Sequence, residues 1–147
     1  MDARARMEIE WECRNLCYGF AHYIDSRRYA ELTALFTQNG VFNRVGQVLN
    51  GHGAILAALE QRSLEMRTRH VCHNIYFSEV SEKTARALVY NTTLTGIGDP
   101  PSLPVPYGLT QGVFLEFRDI YCLTAEGWRI AERVASIVLT PSDMPQH

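Results

Sequence analysis

Nowhere does this 147-residue sequence approach the roughly 20 consecutive apolar residues of a membrane-spanning helix, so no membrane partner is expected. Charge of one sign is lacking as well. The 14 Lys and Arg stand against 16 Asp and Glu, the formal net charge is −2, and the basic residues are scattered. No nucleic-acid partner is expected from such a distribution. The first residues, Met1-Asp2-Ala3-Arg4-Ala5-Arg6, run straight into an amphipathic pattern without the apolar core of an export signal, which points to the cytoplasm. Cysteines are few: Cys13, Cys17, Cys72 and Cys122 read as reduced thiols and not as a disulfide framework.

What is present is a globular composition, 46% hydrophobic and 20% charged. It excludes a disordered or fibrous chain, and the length suits a single domain over residues 1–147 with a sizeable core. Ile9, Cys13, Leu16, Cys17, Phe20 and Ile24 recur at spacings of three and four, the stripe of one helix. Asp25-Ser26 breaks that pattern and offers an N-cap to a second, shorter helix buried through Tyr29, Leu32, Leu35 and Phe36. Asn39-Gly40 is a turn signal ahead of a short strand at Val41-Phe42, and Gly46, Gly51 and Gly53 bracket a loop. Ile55, Leu56 and Leu59 mark a third helix reaching about Glu65.

After Arg69 the texture changes. Residues 70–77, 85–95, 109–121 and 128–139 are rich in β-branched and aromatic side chains. Ser81-Glu82-Lys83 and Thr124-Ala125-Glu126-Gly127 read as hairpin turns, which imply antiparallel pairing. The linker Gly96 to Tyr107 holds Pro100, Pro101, Pro104 and Pro106, so it stays out of the sheet centre and reads as an exposed loop or a lid. Helices followed by a four-strand meander make an α+β chain whose first helix needs a sheet to cover.

Three segments carry a resemblance. They are Tyr23-Ile24-Asp25-Ser26-Arg27-Arg28-Tyr29-Ala30-Glu31-Leu32; Arg67-Thr68-Arg69-His70-Val71-Cys72-His73-Asn74; and Phe117-Arg118-Asp119 followed by Gly127-Trp128-Arg129-Ile130-Ala131-Glu132-Arg133. In this order they resemble the SnoaL-like branch of the nuclear transport factor 2-like superfamily, which includes scytalone dehydratase and hexachlorocyclohexane dehydrochlorinase. The resemblance implies a cone-shaped, mixed but mostly antiparallel sheet with three N-terminal helices enclosing an apolar pocket. It implies that Asp25 orients His70, that His70 removes a proton from substrate, that Arg133 stands near a leaving group, and that Phe42 lines the cavity. Phe20 occupies the position of the dehydrochlorinase lysine, and Ile24, beside Tyr23, that of a substrate-binding tyrosine in the dehydratase.

The residues themselves bear on that chemistry. If His70 points inward, strand alternation turns Thr68, Cys72, Asn74 and Tyr76 inward and Val71, His73, Ile75 and Phe77 outward. An apolar outer face asks for a cover, which suggests a homodimer or homotrimer. Imidazole is the natural base near neutral pH, and a carboxylate on its far nitrogen fixes the tautomer and stabilises the imidazolium. The same two residues also suit a hydrogen-bonded core histidine and a helix-end cap. Asn74, Asn91 and Asp119 supply polar contacts, while Phe42, Val89, Val113, Leu115 and Phe117 form an apolar wall. Arg133 holds an anion or pairs with Asp119 or Glu116. No metal is expected, because His73 opposes His70 and Cys72 across the strand and two ligands are too few. Gly96-Ile97-Gly98 precedes prolines, not a helix, so it is no phosphate loop.

The resulting expectation is a cofactor-independent lyase acting on a small, largely apolar cyclic compound through His70 and Asp25. Its candidate substrate contacts are Tyr23, Phe42, Cys72, Asn74, Asn91, Val113, Phe117 and Asp119. An isomerase or cyclase on the same dyad is the nearest alternative. A non-catalytic binding module, akin to a dioxygenase small subunit, is the other.

Overall fold

Asp2 opens the first helix by accepting a hydrogen bond from the Ala5 N–H at 2.8 Å, satisfying one of the donors a helix start leaves free. The computed structural model describes residues 1–99, 103–107 and 112–142. Helix α1 spans Ala3–Asp25 and buries Cys13, Cys17, Phe20, Ala21 and Ile24, the stripe read from the sequence. Ser26 ends this helix and does not start the next. Its N–H and Oγ both donate to the His22 carbonyl, and α2 (Tyr29–Thr33) begins with no side-chain cap.

Strand β1 runs over Phe36–Arg44, longer than expected, and the Asn39-Gly40 signal falls inside it. There the register against the last strand shifts between Phe36 and Val41. A Cβ on Gly40 would sit 3.0 to 3.1 Å from the Thr37 and Ile130 carbonyl oxygens and the Phe36 side chain, so glycine marks a bulge and not a turn. The glycine-rich segment is likewise no loop. Val45 (φ 50°) and Gly46 (φ 93°) turn the chain into β2 (Gln47–Asn50), which pairs back on β1. Helix α3 (Gly51–Glu60) stops short of Glu65.

Four long strands follow: β3 (Met66–Val80), β4 (Thr84–Ile97), β5 (Gly112–Thr124) and β6 (Gly127–Leu139). They form one six-stranded sheet in the order β2-β1-β6-β5-β4-β3. Only β1 and β6 pair in parallel, so the sheet is mixed but mostly antiparallel, and curved as expected. The start of the expected third long strand, at Leu109, lies outside the described residues, as do Pro100 and Pro101 of the linker and residues 143–147. Of the linker, residues 103–107 fold back onto the end of β4: a Cβ on Gly96 would come within 2.8 Å of the Pro106 carbonyl oxygen and 2.9 Å of Val105.

One feature of β3 corrects the alternation argument. Cys72 pairs with Asn91 and Ile75 with Val89, so His73 and Asn74 together oppose Tyr90 in a β-bulge. The extra residue reverses the facing of everything after it. Phe77 is therefore buried and Ile75 packs on the core, while Asn74 and Tyr76, expected inside, are exposed. The outer face stays apolar through other residues, with Val71, Tyr76, Tyr90, Phe114 and Leu139 exposed. Among the described residues no helix is long and apolar enough to cross a membrane.

Candidate active site

Asp25 closes α1 where that helix crosses β3, and the crossing creates the dyad. Its Oδ1 accepts a hydrogen bond from His70 Nδ1 at 2.6 Å, and its Oδ2 accepts one from the His70 backbone N–H at 2.8 Å. Thr68, one inward step earlier on β3, donates Oγ1 to Asp25 Oδ1 at 2.9 Å. Arg62, in the connection after α3, in turn donates to Thr68 Oγ1 (2.9 Å), to the Ile24 carbonyl (2.9 Å) and to the Tyr29 hydroxyl (3.1 Å). Burial pushes the Asp25 carboxyl up, but the His70 hydrogen bond and charge, helped by the backbone N–H and Thr68, hold it below its ordinary value.

Both side chains of the dyad keep 12% of their surface exposed. They line a cleft of about 330 Å³ with Ala21, His22, Ser26 and Arg69. Among the described residues nothing bonds His70 Nε2. Because Nδ1 carries the hydrogen donated to Asp25, the free Nε2 is the basic nitrogen. The arrangement therefore suits proton removal by His70, with Asp25 fixing the ring.

A second polar cluster lies inside the core. Arg133 is fully buried and donates Nε and Nη2 to the two oxygens of Asp119, at 2.8 and 2.6 Å. Tyr121 donates its hydroxyl to Asp119 Oδ2 at 2.6 Å. The guanidinium carbon lies 4.4 Å from the Phe20 ring centre and 4.5 Å from that of Phe117, a cation between two aromatic faces. Nη1 is buried and has no partner among the described residues. A bulge places Arg133 here: Tyr121 pairs with Ile130 and Ile120 with Glu132, so Ala131 is the extra residue that moves the inward position from Glu132 to Arg133. Of the two ion pairs expected for Arg133, that with Asp119 is formed, while Glu116 pairs with Arg118.

Between the two clusters sit Asn91 and Cys72. Asn91 is buried, accepts from Thr93 Oγ1 at 2.8 Å and points Nδ2 at Cys72 Sγ, 3.8 Å away. Cys72 also receives the Cys17 thiol at 3.4 Å. Phe42 and Phe117 pack edge-on against Phe20, with ring centres 5.4 and 6.1 Å apart, and Val113 is half-buried at the start of β5. Of the residues named from the sequence, Tyr23 lies apart from these, and Asn74 meets them only through Asn91, which lines the same outer cleft. Tyr23 sits a half-turn from Asp25, with the Arg28 guanidinium 5.0 Å from its ring centre. Asn74 lies with His73, Tyr90 and Phe114 along an outer cleft of about 430 Å³.

Residues not singled out from the sequence as site members are Thr68, Arg62, Tyr121, Phe20 and Cys17. Alternation did carry a signal for Thr68 and Tyr121, each two positions from a named residue. Arg62 had none, since a lone arginine late in the expected third helix reads as solvated. Among the described residues no group of three or more His, Cys, Asp or Glu forms a metal cluster.

The profile of a family described as a SnoaL-like domain matches residues 5–134. No curated protein matches the sequence. Among solved structures, a candidate scytalone dehydratase from Novosphingobium aromaticivorans DSM 12444 shares 16% identity and superposes with a TM-score of 0.82 over 99% of this chain and 94% of its own. A candidate dehydratase of the nuclear transport factor 2-like family from Streptomyces avermitilis shares 18% identity (TM-score 0.76; 92% of this chain, 99% of its own). ActVI-ORFA from Streptomyces coelicolor shares 20% identity (TM-score 0.71; 88% of this chain, 97% of its own).

Proposed function

Since the chain belongs to the SnoaL-like domain family of the nuclear transport factor 2-like superfamily, we propose that it is a single-domain, cofactor-independent lyase that eliminates water or halide from a small cyclic apolar compound. The observation that carries this reading is the Asp25–His70 pair, bonded through Nδ1 at 2.6 Å with Nε2 left free beside a cleft. His70 Nε2 takes the proton from an acidified C–H of the substrate. The C–H electron pair becomes the new double bond as a neighbouring halide departs, or as a hydroxyl leaves as water with the proton His70 took. Asp25 stabilises the transient imidazolium.

Arg133 Nη1, a buried donor with no partner, is the group available to a developing anion, with Asp119 holding the guanidinium in place. Asn91 and Cys72 are the polar contacts, and Phe42, Val113 and Phe117 the apolar ones. An isomerase would use the same first step, and product analysis separates the two. The apolar outer face supports a homodimer or homotrimer joined there.

The test is ligand-induced thermal stabilisation across cyclic ketones, phenols and halogenated alicyclics, followed by turnover of each hit. Wild-type turnover that His70→Ala and Asp25→Asn lose while still binding supports the lyase. Ligand binding without turnover, or activity unchanged in both variants, overturns it in favour of a non-catalytic binding module, a reading that the mutual engagement of Arg133 and Asp119 also suits.

A further inference from the structure

Of the four cysteines, two are brought together by the fold. Cys17 on α1 and Cys72 on β3 are 55 residues apart in sequence, yet their sulfurs are 3.4 Å apart. A disulfide needs about 2.05 Å, so each sulfur has to move by less than about 1 Å. Their surroundings differ in a useful way. Cys17 is fully buried, whereas Cys72 is half-buried and so is the one a small oxidant reaches. The Asn91 amide points at Cys72 Sγ, and the buried Arg133 cation adds its field to both thiols.

From this geometry we propose that Cys17 and Cys72 are a modification site for hydroperoxides, a dithiol that closes to an intramolecular disulfide and ties α1 to β3. The Cys72 thiolate attacks the peroxide: an S–O bond forms, the O–O bond breaks, and the departing oxygen leaves as water or an alcohol. Cys17 then attacks the Cys72 sulfenic acid: the S–S bond forms, the S–O bond breaks, and water leaves with the Cys17 proton. Two thiols and one hydroperoxide become one disulfide, one alcohol (or water) and one further water.

The thiol energetics run the same way. The hydrogen bond from Cys17, against the cost of burial and with the help of Arg133, draws Cys72 down to about 7, and that bond together with burial raises Cys17. Cys13, one turn earlier on α1, is pushed up to about 12 by burial and by Glu12, Asp119 and Glu10, and burial also raises Cys122. Only the Cys72 sulfur combines partial access with a stabilised thiolate. This inference does not rest on the lyase reading: Cys72 is a proposed substrate contact there, but neither thiol takes or gives the proton, and the peptide map reads oxidation without any substrate.

The experiment treats the folded wild-type chain with hydrogen peroxide, denatures it, alkylates the remaining thiols and maps the peptides by mass spectrometry. The expected result is loss of two of the four thiols, an intact mass lower by two hydrogens, one Cys17–Cys72 cross-link, and full reversal by dithiothreitol. In Cys17→Ala the reaction halts at a Cys72 sulfenic acid that dimedone traps, while Cys122→Ser still forms the link. Four thiols surviving a dose that oxidises the denatured chain, a link through Cys13 or Cys122, or sulfinic acid at Cys72 with Cys17 still free would each overturn the proposal. If the variants fail to fold, the wild-type map decides alone.

Discussion

Asp25 holds His70 twice: one carboxylate oxygen takes the ring Nδ1 hydrogen at 2.6 Å and the other takes the backbone N–H at 2.8 Å. The ring is thereby set by the same group that sets the strand beneath it.

Asp25→Asn keeps the size but replaces one acceptor oxygen by an N–H₂ donor. The ring then loses its enforced tautomer. We expect the rate of proton removal to fall by roughly 10²- to 10⁴-fold, and His70→Ala to fall as far, with ligand-induced stabilisation retained. Steady-state kinetics beside thermal shifts check both halves.

The same carboxyl makes stability depend on acid. Its folded value lies below the ordinary one, so the contribution is fully present above about pH 4 and is lost as the pH falls through the lowered folded value. Below both values the group is protonated in either state and contributes nothing. Urea unfolding between pH 7 and pH 2, about the range in which carboxyls titrate, is expected to show the gap between wild type and Asp25→Asn closing in acid. A gap that stays constant contradicts the assignment.

Thr68→Val is the near-isosteric probe of the layer behind the dyad. It removes the donor to Asp25 and the acceptor of Arg62, both at 2.9 Å. A loss of about 1 kcal/mol in unfolding free energy is expected, and the acid limb moves to higher pH because one group favouring the carboxylate is gone.

Arg133→Met strands the fully buried Asp119 carboxylate without its guanidinium. A buried pair broken from one side costs roughly 3–5 kcal/mol, and removing both charges costs less. Denaturant unfolding of Arg133→Met and of Arg133→Met combined with Asp119→Asn is expected to show the double variant as the more stable. Equal losses would mean that leaving one partner of the pair behind is not what sets the cost.

On the outer face, Tyr76→Glu combined with Tyr90→Glu places charge on the apolar surface. If copies of this chain associate there, light scattering is expected to show the assembly reduced to monomer with the helical and strand content unchanged.

Much of this was legible because apolar periodicity is what packing acts on. The Cys13-Cys17-Phe20-Ile24 stripe follows from it directly, while the four long strands came from β-branched and aromatic content and the two hairpins from their turn residues. What escaped was set by bulges. One extra residue at His73-Asn74 sent Asn74 and Tyr76 outward, and Gly40 stood for a bulge where Asn-Gly ordinarily marks a turn. A bulge leaves the composition of a strand unchanged, so no local pattern announces it. The pairing of His70 with Asp25 came from resemblance; Thr68 was legible only as an inward neighbour of His70, and Arg62 not at all, because its partners lie on three separate elements.

The parallel pairing of β1 with β6 has a consequence for how the chain acquires its fold. Phe42 lies opposite Arg133, and β6 sits between the first hairpin and the rest of the sheet. Until β6 arrives, the β1–β2 hairpin packs on α1 and α3 but has no strand to join it to the rest of the sheet, and Asp119 waits in a half-built core without its counter-charge. Closure of so long a loop is slow compared with hairpin formation. On the ribosome, this protein is therefore expected to remain protease-sensitive until its last strand has left the exit tunnel, and then to consolidate in one step.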